Sequence, residues 1–126
     1  MIIIVKKLKM EIKYKQFVIV PLKPKMSRGK ISSQCCHATF MALEKQKKDK
    51  IISKWKHLGM CVIVLSCKDT HALTNIARYL EEWKIPYGLC IDEGLTEVDP
   101  MTPTALATGV LSEDKFWMFE TMKLLK

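Results

Sequence analysis

The chain has 126 residues, a length that suits one compact α/β domain and is too short for two. Apolar residues make up 48%, enough for a core, and the formal net charge is +8. Divided at residue 58, the first part holds 15 Lys/Arg against 3 acids (+12) and the second 6 against 10 (−4). Such asymmetry suits a polyanion, RNA or DNA ahead of an acidic protein, for the first half; a solvated lysine-rich face is the plain alternative. The 5 cysteines include no C-x-x-C pair, which removes zinc-ribbon and thioredoxin readings and points to thiols in a reducing, intracellular setting.

The opening MIIIVKKLKMEIKYK has too short an apolar run for a signal peptide and far too short a one for a membrane span, so residues 1–14 read as an extension and 15–126 as the domain. Lys15 to Leu22 (KQFVIVPL) is a short apolar strand closed by the proline-punctuated loop that follows. A helix then begins beside Gly29 and runs to about Lys48. At about 100° per residue, Lys30, Gln34 and His37 share one face of it. Ile31, Cys35, Ala38 and Ala42 form a neighbouring stripe that can pack on a sheet.

Ile51 to His57 reads as a short helix anchored by Trp55, with Gly59 ending it. Met60 to Cys67 (MCVIVLSC) is an uninterrupted apolar run, as expected of a central strand covered on both faces. Asp69 or Thr70 caps the next helix, whose Leu73, Ile76, Ala77 and Leu80 face the core. Ile85 to Ile91 is a third strand, and the alternation of strands and helices implies parallel pairing through right-handed crossovers. Thr104 to Leu111 is a fourth strand, antiparallel because no helix precedes it; Ser112 caps a final helix carrying Phe116, Phe119 and Met122. The predicted fold is α/β: a three-layer α/β/α arrangement with a four-stranded mixed sheet, in the order β-α-(α)-β-α-β-β-α. All three tryptophans are expected to be packing anchors.

The polar loop Asp92 to Pro103 (DEGLTEVDPMTP) leaves the carboxyl end of the third strand, where open α/β sheets bind ligands. If it meets the helix that follows the first strand, then Lys30, Gln34, His37, Asp92, Thr96 and Thr104 surround one cleft. Those groups suit hydrolysis of an ester without metal. His37 or Asp92 would activate water, Lys30 or a helix-terminal N–H would stabilise the oxyanion, and threonine hydroxyls would position substrate. A lone helical histidine is, by contrast, more often a structural hydrogen-bonder.

Two segments carry a family resemblance. GKISSQCCHA resembles the G-K-x-x-A-Q-x-x-H-A signature of the archaeal and eukaryotic type of peptidyl-tRNA hydrolase (PTH2), matching at Gly29, Lys30, Gln34, His37 and Ala38. DEGLTEVDPMTPT resembles that family's D-A-G-R-T-Q-I-A-P-G-T-x-T loop at Asp92, Gly94, Thr96, Pro100, Thr102 and Thr104. The resemblance implies hydrolysis of the ester between peptide and tRNA in peptidyl-tRNA, with no cofactor and no metal. It implies catalytic roles for Lys30, His37, Asp92, Thr96 and Thr104, substrate contacts at Arg28, Gly29, Gln34 and Thr102, and a cytoplasmic homodimer not bound to membrane. The loop departs from the pattern at Glu93, Leu95, Glu97, Asp99 and Met101. Its four carboxylates, Asp92, Glu93, Glu97 and Asp99, are expected to raise one another's pKa values and repel phosphate unless Lys30 and its neighbours compensate. A fold-preserving tRNA-binding or protein-interaction module without hydrolysis is the alternative.

Overall fold

The computed structural model describes residues 12–94 and 97–126. Most of the expected amino-terminal extension, together with Leu95 and Thr96, lies outside the described residues. The elements run β1 (Tyr14–Pro21), α1 (Arg28–Lys45), α2 (Lys50–His57), β2 (Val62–Cys67), α3 (Thr70–Glu82), β3 (Tyr87–Asp92) and β4 (Thr102–Ser112). A 3-10 helix (Glu113–Phe119) and the two-residue β5 (Lys123–Leu124) complete the chain.

The sheet has five strands in the order β3-β4-β1-β2-β5, so the expectation of four omitted β5. β5 is a two-residue pairing, antiparallel to β2 at Leu65 and Ser66, and leaves no periodic trace in sequence. β1 and β2 pair in parallel, and β4 is antiparallel to β1, both as expected. The expected parallel pairing of β3 is not formed. β4 turns back from β3 and inserts between it and β1, so β3 pairs only with β4 and antiparallel to it. Nor is β2 a fully covered centre: Val62 is exposed and only Leu65 is fully buried, because β2 stands next to the short edge strand.

Alternation along β1 builds two layers of core. Phe17 and Ile19 point to the α3 side, where they meet Leu73, Ala77, Leu80, Leu106 and Phe119. Burial of Leu73 and Leu80 contributes roughly 1.5–3 kcal/mol each. Val18 points to the α1 side with Ala38, Ala42, Ala105 and Ala107. The small residues there bring α1 close to the sheet. At Gly88 of β3 an added Cβ would lie 2.6 Å from the Ala38 carbonyl oxygen and 2.8 Å from the Ala42 nitrogen, so only glycine admits the helix at this distance.

The helices keep the expected order with shifted ends. α1 stops at Lys45, three residues early, because Gln46 caps it and turns its side chain onto β4. There the buried Gln46 amide accepts from Val110 N–H at 2.7 Å and donates to Val110 C=O at 3.1 Å. Asp69 caps α3 through Ala72 N–H. The last helix is 3-10, and Ser112 bonds the Asp114 carboxylate instead of capping the backbone. Trp55 is the anchor expected, with its Nε1–H donating to Cys61 C=O at 2.9 Å. Trp83 and Trp117 are instead 54% and 51% exposed, in an edge-to-face contact 6.1 Å apart.

Candidate functional site

The two predicted segments meet. α1 is capped by Ser27, whose side chain accepts from Lys30 N–H, and its first turn places the Lys30 ammonium at the end of β3. Lys30 Nζ donates to Asp92 Oδ1 at 2.5 Å, and the two side chains are only 8% and 11% exposed. Asp92 Oδ2 accepts from Gly94 N–H at 2.8 Å, and its carbonyl oxygen accepts from Met101 N–H at 2.7 Å. These bonds close the β3–β4 loop onto the strand end. Gly94 has φ +80° and lies against Pro100, where an added Cβ would be 2.4 Å from the proline nitrogen.

A second tie joins the loop to the helix start. Glu97 Oε1 accepts from Ser27 N–H at 2.7 Å and Oε2 from the Ser27 hydroxyl at 2.5 Å. A carboxylate at a helix amino terminus also faces the positive end of its dipole. Beneath it, Val98 is buried against Met26 and Val20, with Ile31 and Cys35 alongside. Ion pair, hydrogen bonds and apolar contact therefore hold the same loop.

For two of the loop acids, Asp92 and Glu97, Lys30 and its neighbours supply the compensation that the crowded carboxylates require. The Lys30 ammonium, helped by Gly94 N–H, holds the Asp92 carboxyl below the usual carboxylate range. Hydrogen bonds from the Ser27 hydroxyl and backbone N–H lower Glu97 likewise. Mutual repulsion among the loop acids loses to these local donors because the donors are in contact.

Gln34 leaves the polar face predicted for it and turns toward the sheet. Its Oε1 accepts from the Thr104 hydroxyl and from the Cys90 thiol, the latter at 3.0 Å. Thr104 is 1% exposed, its hydroxyl turned to Gln34 and the Cys90 carbonyl. Burial raises the pKa of Cys90, so its thiol stays protonated and serves as a donor. Thr102 hydroxyl donates to Asp99 C=O at 2.6 Å, within the loop. Arg28 and Gly29 are exposed at the first turn of α1. Thr96 lies outside the described residues.

His37 is exposed one turn beyond Gln34 and makes no side-chain hydrogen bond among the described residues. It lines an open cleft of about 630 Å³ together with Gln34, Cys90, Asp92 and Glu93; Phe40, Met41, Leu89 and Ile91 supply its apolar wall. The arrangement sets an exposed imidazole on a cleft whose wall includes Asp92, the carboxylate that holds the Lys30 ammonium. Val98, Cys90 and the apolar wall are not among the site residues expected from sequence, and Glu97 is expected there only as a departure from the family loop. Ser27, three residues before Lys30, does carry a readable N-cap signal.

A family model described as peptidyl-tRNA hydrolase PTH2 matches residues 14–125. A peptidyl-tRNA hydrolase of Methanopyrus kandleri is 34% identical over 103 residues, covering 81% of this chain and 89% of the relative. One from Thermococcus onnurineus is 33% identical over 104 residues, covering 81% and 88%. A probable peptidyl-tRNA hydrolase 2 of Dictyostelium discoideum is 31% identical over 97 residues, covering 75% of this chain and 46% of the relative.

Proposed function

The chain belongs to the peptidyl-tRNA hydrolase PTH2 family, and from that membership we propose that it hydrolyses the ester joining peptide to tRNA, releasing free tRNA, in the cleft beside α1. The observation that carries the assignment of the site is the contact of Lys30 with Asp92, 62 residues apart in sequence, at the end of a cleft lined by His37.

In the proposed reaction His37 takes a proton from water as the water oxygen adds to the acyl carbon. The carbonyl oxygen gains negative charge beside the Lys30 ammonium. Collapse breaks the bond to the ribose oxygen, which recovers the proton from the imidazolium and leaves as a hydroxyl. The other product is the free peptide acid. An imidazole can cycle a proton at neutral pH, whereas a carboxylate whose pKa is lowered by an ammonium is a weak base. Asp92 accordingly serves to hold Lys30. Thr104 and Cys90 act through Gln34, fixing its amide at the floor of the cleft. Arg28, Gly29, Thr96 and Thr102 stand in the two segments that border the substrate in this reading.

Hydrolysis of a model N-acetyl-aminoacyl-tRNA tests the site. We expect kcat to fall roughly 10²–10³-fold in Lys30→Ala and roughly 10²–10⁴-fold in His37→Ala. Asp92→Ala loses about 10²-fold by releasing Lys30 from its position. Unchanged turnover in all three would remove the proposed site, and tRNA binding without cleavage by the wild type would leave a binding module.

We also place the protein in the cytoplasm as a homodimer. Five free thiols suit a reducing compartment, and no helix among the described residues is long and apolar enough to cross a membrane. The exposed Tyr79, Trp83 and Trp117 offer an apolar surface for self-association, on the α3 side.

A further inference from the structure

Phe40 is 66% exposed, on α1, three residues beyond His37. Its ring borders two cavities. One is the cleft already described; the other, about 250 Å³, lies between α1 and α2 and is lined by Leu43, Glu44, Lys47, Ile52 and Lys56 as well. Among the described residues Phe40 stacks on no other ring. From Lys30 to Lys45 the helix rises about 22 Å, so the ion pair, His37 and Phe40 succeed one another along it and Lys47 follows just past its end.

Charge accumulates at the far end of that track. Residues 44–56 carry 6 lysines against Glu44 and Asp49. Asp49 is committed to capping α2, accepting from Ile51 N–H at 3.0 Å. Lys45 sits over the Tyr87 ring, 4.6 Å from its centroid. Lys47 reaches Glu44 only at 3.9 Å, with both side chains more than half exposed. Such a pair is weak and yields readily to a phosphate. Favourable interaction with the helix dipole accounts for lysines near the end of α1, but not for a solvent-facing phenyl ring at the head of the run.

A flat exposed ring followed by lysines matches the alternation of base and phosphate in a single strand. We infer that the groove between α1 and α2 seats the single-stranded 3′ end of the tRNA, with a base stacked on Phe40 and phosphates met by Lys47 and Lys56. The inference rests on the peptidyl-tRNA reading, and it assigns a surface that the ester chemistry alone does not. The ester is carried on the terminal ribose, so a strand lying along this groove delivers it to His37 and Lys30. An acidic protein would use the lysines but has no need of the ring.

Fluorescence anisotropy with uncleavable RNA tests it. The probes are an acceptor-stem hairpin bearing a 3′ ACCA overhang and the same hairpin blunt-ended. The wild type should bind the overhang probe about 10-fold more tightly, and Phe40→Ala should lose most of that preference while Phe40→Trp keeps it. Lys47→Gln combined with Lys56→Gln should reduce the slope of log K against log salt by about 1.4, the share of two single-strand phosphates. All three positions of change are exposed side chains, and circular dichroism checks that the variants fold. No overhang preference in the wild type, or a preference untouched by Phe40→Ala, overturns the inference. So does poly-glutamate competing as well as unlabelled overhang RNA. Cleavage of N-acetyl-aminoacyl-tRNA by the same preparation is scored apart: cleavage without overhang preference overturns the groove alone, and preference without cleavage overturns the catalytic reading alone.

Discussion

Single side chains decide the electrostatics of the site. Asp92 is the clearest case, because its folded-state pKa lies below the ordinary 3.8 through contact with the Lys30 ammonium. The folded state therefore favours the carboxylate. Its contribution to stability is complete above the ordinary value and disappears as pH falls through the lowered one. Denaturant unfolding of the wild type and Asp92→Asn across pH 2–7 should show a constant gap above about pH 5 that closes at the acidic end. A gap that widened in acid would contradict the ion pair. Met101, where the family pattern has glycine, keeps a left-handed φ of +64°. A side chain there costs roughly 1–2 kcal/mol, part of which glycine would return as unfolded-chain entropy. Met101→Gly should thus raise stability by about 1 kcal/mol, read as a higher denaturation midpoint.

At the scale of elements, α1 links the sheet to the chemistry. It lies against β3 and β4 through Ala38, Ala42 and the bare backbone of Gly88, and Gln46 fastens its end to Val110. His37 and Gln34 move with it. In Gly88→Ala the new methyl meets helix backbone, which has no flexible end to yield. The variant should lose about 1–3 kcal/mol of stability. Its turnover should fall as well, because the new methyl also meets Met41 of the cleft wall and displaces the helix that carries His37. Wild-type values for both would show that α1 has room to spare. The β3–β4 loop is the second element of the site, and Val98 holds it from below while Glu97 and Asp92 hold it from above. Four acids in one short loop are accommodated because two of them face donors on α1.

For the whole molecule, sheet order brings the site together. β4 lies between β1 and β3, so α1, which follows β1, spans β4 to reach the end of β3. The same face carries α2 and its lysines, beside the cleft. Attraction of a tRNA polyanion to that face predicts that kcat/KM falls steeply with added salt while kcat at saturation changes little. Stopped or quenched turnover between about 50 and 500 mM salt measures it; a kcat/KM indifferent to salt would separate the basic face from substrate capture.

What was readable from the chain alone was what local pattern encodes. The apolar runs marked β1 through β4, the i, i+4 stripe of Ala38 and Ala42 marked the buried side of α1, and Asp69 marked the start of α3. The motif residues Lys30, His37 and Asp92 could be named, since residue type and spacing survive in sequence. Tertiary structure decided the rest. Whether β3 pairs with a parallel neighbour or with its own hairpin partner depends on contacts between distant strands, and the two-residue β5 has too few residues to show a period. Helical angle put Gln34 beside Lys30 and His37, yet Thr104 and Cys90, brought in by other strands, drew it into the core. A periodicity describes one segment in isolation, whereas side-chain direction and carboxyl pKa depend on which atoms of other segments come within hydrogen-bond reach.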